Sequence, residues 1–267
     1  MADLTKITVA LAVGGAIGVL ATRAAAQSAQ EVAAVTKKTP APAAPTTSLP
    51  KLYVYDHCPF CARARVILGL KKVKHELIFF ASADEATPIG LVGAKQAPIF
   101  HPVGGKPFPE SMDIVRYVDE HYGGGVLLQE SANREDLKLW IQEAWPLLSV
   151  LYYPRIHAAP FPEFAQHESR EYFRVKKEKT VGPFSELRAK TPETVAKVNK
   201  LLEKLATILN TDHSVNDAVS YDDIDLFGRL RSLTLVKDVT WPAKVRAYVD
   251  HFSKAGDIPL LDAMAEF

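Results

Sequence analysis

Apolar and polar side chains alternate along Lys51-Leu52-Tyr53-Val54-Tyr55, the period-two pattern of a strand with one buried face. The spacing then changes. Across residues 62–70, Val66, Ile67 and Leu70 fall on one face of a helix. Residues 76–80 (Glu-Leu-Ile-Phe-Phe) predict a short buried strand. A polar loop follows over 84–87, and Pro88 is placed to open a brief helix through residue 92. Residues 97–100 and 106–109 supply two more strand segments, separated by the Gly104-Gly105 turn. Pro107 and Pro109 cannot donate to a ladder, which confines the second of these to an edge. Ser111 is expected to cap a helix carrying Ile114, Val115, Val118 and Tyr122 at helical spacing, with Asp113 in its first turn complementing the dipole. The order β-α-β-α-β-β-α describes a compact α/β domain over residues 51–122.

Gly123-Gly124-Gly125 breaks the pattern and marks a domain boundary. Beyond it, over residues 126–267, the periodicity is helical throughout. Leu137, Trp140, Ile141, Ala144 and Leu148 make one stripe. Val198, Leu201, Leu202 and Leu205 make a second, and Val245, Tyr248, Val249 and Phe252 a third, with Pro242 expected in its first turn. Ser220-Tyr221-Asp222-Asp223 has the form of a capping box, with Val219 and Ile224 at staple positions, and predicts a helix running to Leu235. An acidic metal cluster of Asp222, Asp223 and Asp225 is the weaker alternative, because helical positions one and two apart do not share a face. The fold class expected is therefore an α/β domain followed by an all-α domain.

Residues 1–50 belong to neither. Residues 9–21 form an unbroken small-apolar run, shorter than the roughly 20 residues a spanning helix needs. Its length suits a signal h-region, and Ala24-Ala25-Ala26 offers a cleavage site. An organellar presequence, an uncleaved anchor over residues 7–26 with Gly14 and Gly18 permitting close helix pairing, and a plain Ala-rich tail are the other readings. The compartment follows whichever holds: membrane-anchored, exported or organellar, with a cytoplasmic protein as the alternative. Pro40, Pro42, Pro45 and Pro50 make a semi-rigid extended linker.

Composition narrows the picture. The 267 residues carry 32 basic and 31 acidic side chains, a net charge of +1 with no basic stripe, so no nucleic-acid partner is expected. Two cysteines cannot staple a secreted disulfide fold, and without a second pair they cannot complete a structural zinc site. They are Cys58 and Cys61, in Cys58-Pro59-Phe60-Cys61, at the turn from the first strand into the first helix. A C-x-x-C there, near the start of a βαβ pattern, is a thioredoxin-like redox signal. At a helix start the Cys58 sulfur faces unpaired backbone N–H groups and the positive dipole end, both of which favour the thiolate. Pro59 suits the first helical position. Cys61 lies about one turn further on, within reach of a mixed disulfide on Cys58. The catalytic assignment is Cys58 as nucleophile and Cys61 as resolving thiol, with no metal. Arg63 and Arg65 read as solvated charges, and His57 is left out of the catalytic set.

The two domains in this order, with Tyr53-Val54-Tyr55-Asp56-His57-Cys58-Pro59-Phe60-Cys61, Gln96-Ala97-Pro98-Ile99, Pro109-Glu110-Ser111-Met112-Asp113, Leu233-Thr234-Leu235-Val236 and Trp241-Pro242, resemble the glutaredoxin 2 family, two-domain glutaredoxins of glutathione transferase architecture. The resemblance begins at about residue 51. This chain has Phe60 and Ala97 where the family commonly has Tyr and Val. The resemblance implies a thioredoxin-like first domain and glutathione as co-substrate. It also implies a cis peptide before Pro98, backbone pairing of Ala97 with the cysteine part of glutathione, and Cys58 as the thiol that carries the adduct. Glu110 would hold the ligand's α-amino group and Ser111 its α-carboxylate, the latter at a helix N-terminus suited to anions. The expected function is glutathione-dependent reduction of protein or glutathione mixed disulfides by a monomer. Two other readings stand beside it: glutathione transferase or dehydroascorbate reductase chemistry on the same fold, and a membrane-tethered redox sensor or scaffold.

Overall fold

Residues 48–265 are described in a computed structural model, so the segment at 7–26 and most of the proline linker lie outside the described residues. Strand β1 (Lys51–Val54) leads into helix α1 (Pro59–Leu70), strand β2 (Glu76–Phe79), helix α2 (Ala86–Val92), strands β3 (Ile99–His101) and β4 (Phe108–Pro109), and helix α3 (Ser111–His121). The sheet order is β2-β1-β3-β4, with β1 parallel to β2 and antiparallel to β3. Alternation along β1 buries Leu52 and Val54 completely, as its period requires. Strand β2 is less buried than its apolar composition suggests: Phe79 is 37% exposed. Among the described residues it is an edge strand, with no strand paired on its outer side.

The glycine run between the halves is pinned. Gly123, Gly124 and Gly125 all have positive φ (65°, 84° and 115°), backbone that other residues seldom adopt. The buried Lys71–Asp119 ion pair (3.1 Å) sits beneath them. Lys71 also donates to the Gly125 carbonyl, and Asp119 accepts from Leu127 N–H (2.8 Å) and Leu128 N–H (3.0 Å).

The second half is helical: α4 (Glu135–Ala158), α5 (His167–Val181), α6 (Phe184–Ala189), α7 (Thr191–Ile208), α8 (Tyr221–Arg231) and α9 (Ala243–Ala255). Trp140 of α4 is fully buried and donates to the Leu201 carbonyl of α7 at 2.7 Å, tying together the first two stripes. Pro242 caps α9 instead of lying in its first turn. The capping box forms as the sequence implies, with Ser220 N–H donating to Asp223 Oδ2 at 2.8 Å. The helix ends at Arg231 and tightens into a 3-10 turn over Ser232–Leu235. The three nearby carboxylates diverge. Asp222 accepts from Ser131, Ala132 and Asn216, Asp223 serves the cap, and Asp225 pairs with Arg63 and Arg229.

Helix α1 is enclosed by both halves, packing against α3 on one side and α8 on the other. The approach is closest at glycine. A Cβ on Gly228 of α8 would lie 2.6 Å from the Pro59 carbonyl, and one on Gly69 of α1 would lie 1.8 Å from the Gly256 carbonyl. The N-terminus of α1 is thus seated on the helical half by backbone contact.

Candidate active site

Cys58 occupies the N-cap of α1 (φ −76°, ψ 124°) and Pro59 is the first helical residue. Both thiols are free. Cys58 is half-buried and Cys61 has no exposed surface. Cys61 Sγ accepts from the Tyr55 N–H at 3.4 Å. The Cys58 thiol is drawn down to about 6, chiefly by a hydrogen bond from the Cys61 thiol. Burial opposes this, and the charge of His57 and the N–H groups of Phe60 and Cys61 add to it. Cys61 is pushed well up, by burial first and then by the hydrogen bond and charge it faces on Cys58. The helix start therefore contributes, as the motif implies, but the partner thiol contributes more.

The turn carrying Cys58 is held from the helical half. Arg231, fully buried, donates to the Asp56 carbonyl (2.5 Å), the Asp56 carboxylate (2.9 Å) and the Pro259 carbonyl (2.8 Å). Arg65 also pairs with Asp56. Burial raises the Asp56 carboxyl, but the two guanidinium groups outweigh it and hold it below its ordinary value. Ser232 Oγ donates to the His57 carbonyl at 3.2 Å. Glu163 Oε1 accepts from the His57 backbone N–H (3.0 Å) and lies 2.5 Å from its ring Nδ1. The ring stacks on Phe164 (5.3 Å between centroids) and meets the edge of Phe173 (5.2 Å). Burial pushes the Glu163 carboxyl up, and the His57 contacts more than reverse it. His57 therefore stands beside the nucleophile with a buried carboxylate behind it, a positioning group that the residues around the motif do not reveal. Its partner is 106 positions away.

Two clefts meet at Ala97. The first, of about 350 Å³, runs along Phe60, Arg63, Pro98, Glu110 and Ser111. The Ala97–Pro98 peptide is cis, as the resemblance implies. Ser111 does not cap α3. It is the first helical residue, and the N-cap is Glu110, whose φ of +72° turns the chain into the helix and whose carbonyl accepts from Ile114 N–H at 2.9 Å. Arg63 is not a solvated charge. It is 6% exposed, donates to Ser111 Oγ at 3.1 Å, pairs with Asp225 of α8, and lies over the Phe60 ring at 4.6 Å. Arg65, with a side chain 10% exposed, is likewise committed to Asp56. The second cleft, of about 180 Å³, contains Cys58, His57, Lys95 and, from α5, Tyr172 and Lys177. The structure thus gathers Cys58, Cys61, Ala97, Pro98, Glu110 and Ser111 at one locus, and adds Arg63, His57 and Glu163. Among the described residues, no three His, Cys, Asp or Glu side chains are grouped to hold a metal ion, and no helix is long and apolar enough to cross a membrane.

Comparison with known proteins identifies the family and the fold. Residues 136–265 match the family model "Glutaredoxin 2, C terminal domain", and residues 52–126 match "Glutathione S-transferase, N-terminal domain". The chain is 38% identical to glutaredoxin 2 of Escherichia coli strain K12 over 215 residues, covering 80% of this chain and 99% of that protein. The crystal structure of glutaredoxin 2 from Salmonella typhimurium in complex with glutathione superposes with a TM-score of 0.79 at 39% identity, over 82% of this chain and all of that one. A glutathione S-transferase of Ceriporiopsis subvermispora, 21% identical over 79% of this chain and 99% of its own, shares the fold with a TM-score of 0.61.

Proposed function

Because this chain belongs to the glutaredoxin 2 family, we propose that it is a glutathione-dependent thiol–disulfide oxidoreductase in which Cys58 is the nucleophile and Cys61 the resolving thiol. The observation that carries this reading is the asymmetry of the pair. One thiol is half-buried at a helix N-cap and drawn down to about 6. The other is enclosed and pushed up. At neutral pH Cys58 is mostly thiolate and Cys61 is protonated.

The Cys58 thiolate attacks one sulfur of a disulfide. A new S–S bond forms, the old one breaks, and the outgoing thiolate takes a proton from solvent. Burial still raises the Cys61 thiol, but Cys58 no longer carries the charge that added to it. Cys61 loses its proton, attacks the Cys58 sulfur and releases the second thiol, leaving a Cys58–Cys61 disulfide. Two glutathione thiols restore the dithiol and leave as glutathione disulfide. Alternatively, when the adduct on Cys58 is glutathione itself, a second glutathione resolves it directly. The first cleft suits the tripeptide: Ala97 offers backbone to its cysteine, Glu110 a carboxylate to its ammonium, and Ser111 with the α3 N-terminus an anion site. Arg63 behind Ser111 reinforces that anion site.

Substitution tests the roles. Cys58→Ser is expected to abolish turnover of every disulfide, whereas Cys61→Ser is expected to retain reduction of glutathione mixed disulfides and to lose reduction of protein disulfides. Turnover surviving in Cys58→Ser would refute the assignment. The pH dependence has a fixed sign. The reactive form is the thiolate, so kcat/KM should be flat above a midpoint near 6 and fall tenfold per pH step below it, where a free cysteine would show its midpoint near 8.5.

A further inference from the structure

The two clefts that share Ala97 differ in charge. The first has Arg63 set against Glu110 and Asp113. The wall of the second contains Lys95, Lys176 and Lys177 and no acidic residue, with the Cys58 thiol among its lining groups. The ammonium groups are held in place by aromatic faces. Lys95 Nζ lies 3.6 Å from the centroid of Tyr172 and donates to the Ser82 carbonyl at 2.8 Å. Lys177 lies 4.6 Å from the Tyr153 centroid and 5.9 Å from that of Phe173, and Lys176 lies 5.6 Å from that of Tyr172. The acids close by are engaged: Glu85 by the Tyr172 hydroxyl at 2.8 Å and by Lys95 at 3.5 Å, Asp84 by the Thr87 N–H at 3.0 Å, and Glu163 by His57. Cations stacked in this way keep their remaining N–H donors for a ligand.

A disulfide presented to Cys58 has two halves, and two clefts meet beside the thiol. Resting on the oxidoreductase reading above, we propose that the lysine-lined cleft receives the outgoing half of the disulfide and selects for leaving thiols that carry carboxylates. The chemistry favours this twice. Carboxylates on the outgoing half meet three ammonium groups, and the same groups stabilise the negative charge that develops on the departing sulfur as the S–S bond breaks. Two sources supply such a half: the second tripeptide of glutathione disulfide, or an acidic segment around the modified cysteine of a protein. The lysines come from both halves of the chain, Lys95 from the loop before β3 and the other two from α5.

The test compares kcat/KM of the full chain on glutathione disulfide and on three glutathione mixed disulfides of short cysteine peptides, flanked by aspartates, by neutral residues and by lysines. Wild type is set against the doubly substituted Lys176→Glu/Lys177→Glu, with Lys179→Glu, on the same helix outside the cleft, as control. The acidic peptide should be preferred over the basic one by about tenfold at low salt, less as salt rises, and the double substitution should erase or invert that preference while Lys179→Glu retains it. A matching loss on glutathione disulfide identifies the second tripeptide as an occupant, and unchanged turnover of it assigns the cleft to protein segments. Equal wild-type rates on acidic and basic peptides, or a preference that survives charge reversal, would overturn the inference alone. Failure to reduce any of the four disulfides would overturn the oxidoreductase reading and this inference with it.

Discussion

The two halves of the chain meet at the turn Asp56-His57-Cys58 and contribute to it differently. The α/β half supplies the groups proposed to react and to face the ligand, Cys58, Cys61, Ala97, Glu110 and Ser111. The helical half supplies Glu163, Arg231, Ser232 and Asp225, which grip that turn and the first helix from more than 100 residues away. The thiol pair is local in sequence, whereas the contacts that position it are long-range.

Breaking the grip should show the difference, most of all at Arg231. Its guanidinium is fully buried and joins Asp56 to Pro259. Arg231→Met leaves the Asp56 carboxylate with Arg65 alone, and unfolding by urea should show a loss of about 3–5 kcal/mol. Gly228→Ala sets a methyl against the Pro59 carbonyl and should cost about 1–3 kcal/mol while displacing the N-terminus of the redox helix. A denaturation midpoint equal to that of wild type would show that the contact yields freely. Glu163→Gln removes the carboxylate that seats the His57 ring beside Cys58. The midpoint for alkylation of Cys58 by iodoacetamide should therefore rise from about 6 with little change in fold. An unmoved midpoint would reduce Glu163 to a structural anchor. In the α/β half, Ser111→Ala leaves the Arg231 and Glu163 contacts untouched and removes from the first cleft the hydroxyl to which Arg63 donates. KM for glutathione should rise about threefold to tenfold, with the thiol midpoint unchanged.

The same division decides what the sequence shows and what only the fold reveals. Strand β1, the C-x-x-C turn, the edge character of β4 and the Ser220 capping box depend on neighbours a few positions apart, and patterns of that range are written in the sequence. Ser111 has the side chain of a cap but is the first helical residue, because Glu110 adopts φ +72°, which no side-chain pattern announces. By sequence alone Arg63 and Arg65 look solvated: Asp225 reaches Arg63 only when α8 packs on α1, whereas Asp56, nine positions before Arg65, meets it across the turn from β1 into α1. Glu163 carries no local signal at all. It is a single acid between Pro162 and Phe164, and it gains meaning only when the aromatic cluster of Phe161, Phe164 and Phe173 closes around His57. A buried acid or arginine without a near partner in sequence is the kind of group that only tertiary contact explains.

The most direct test of the central claim is the intact mass of the full chain after incubation with oxidised glutathione, for wild type and Cys61→Ser. A single stable glutathione adduct on Cys58 in the variant and an internal Cys58–Cys61 disulfide in the wild type are the expected products. No adduct, or an adduct placed on another residue, would contradict that claim.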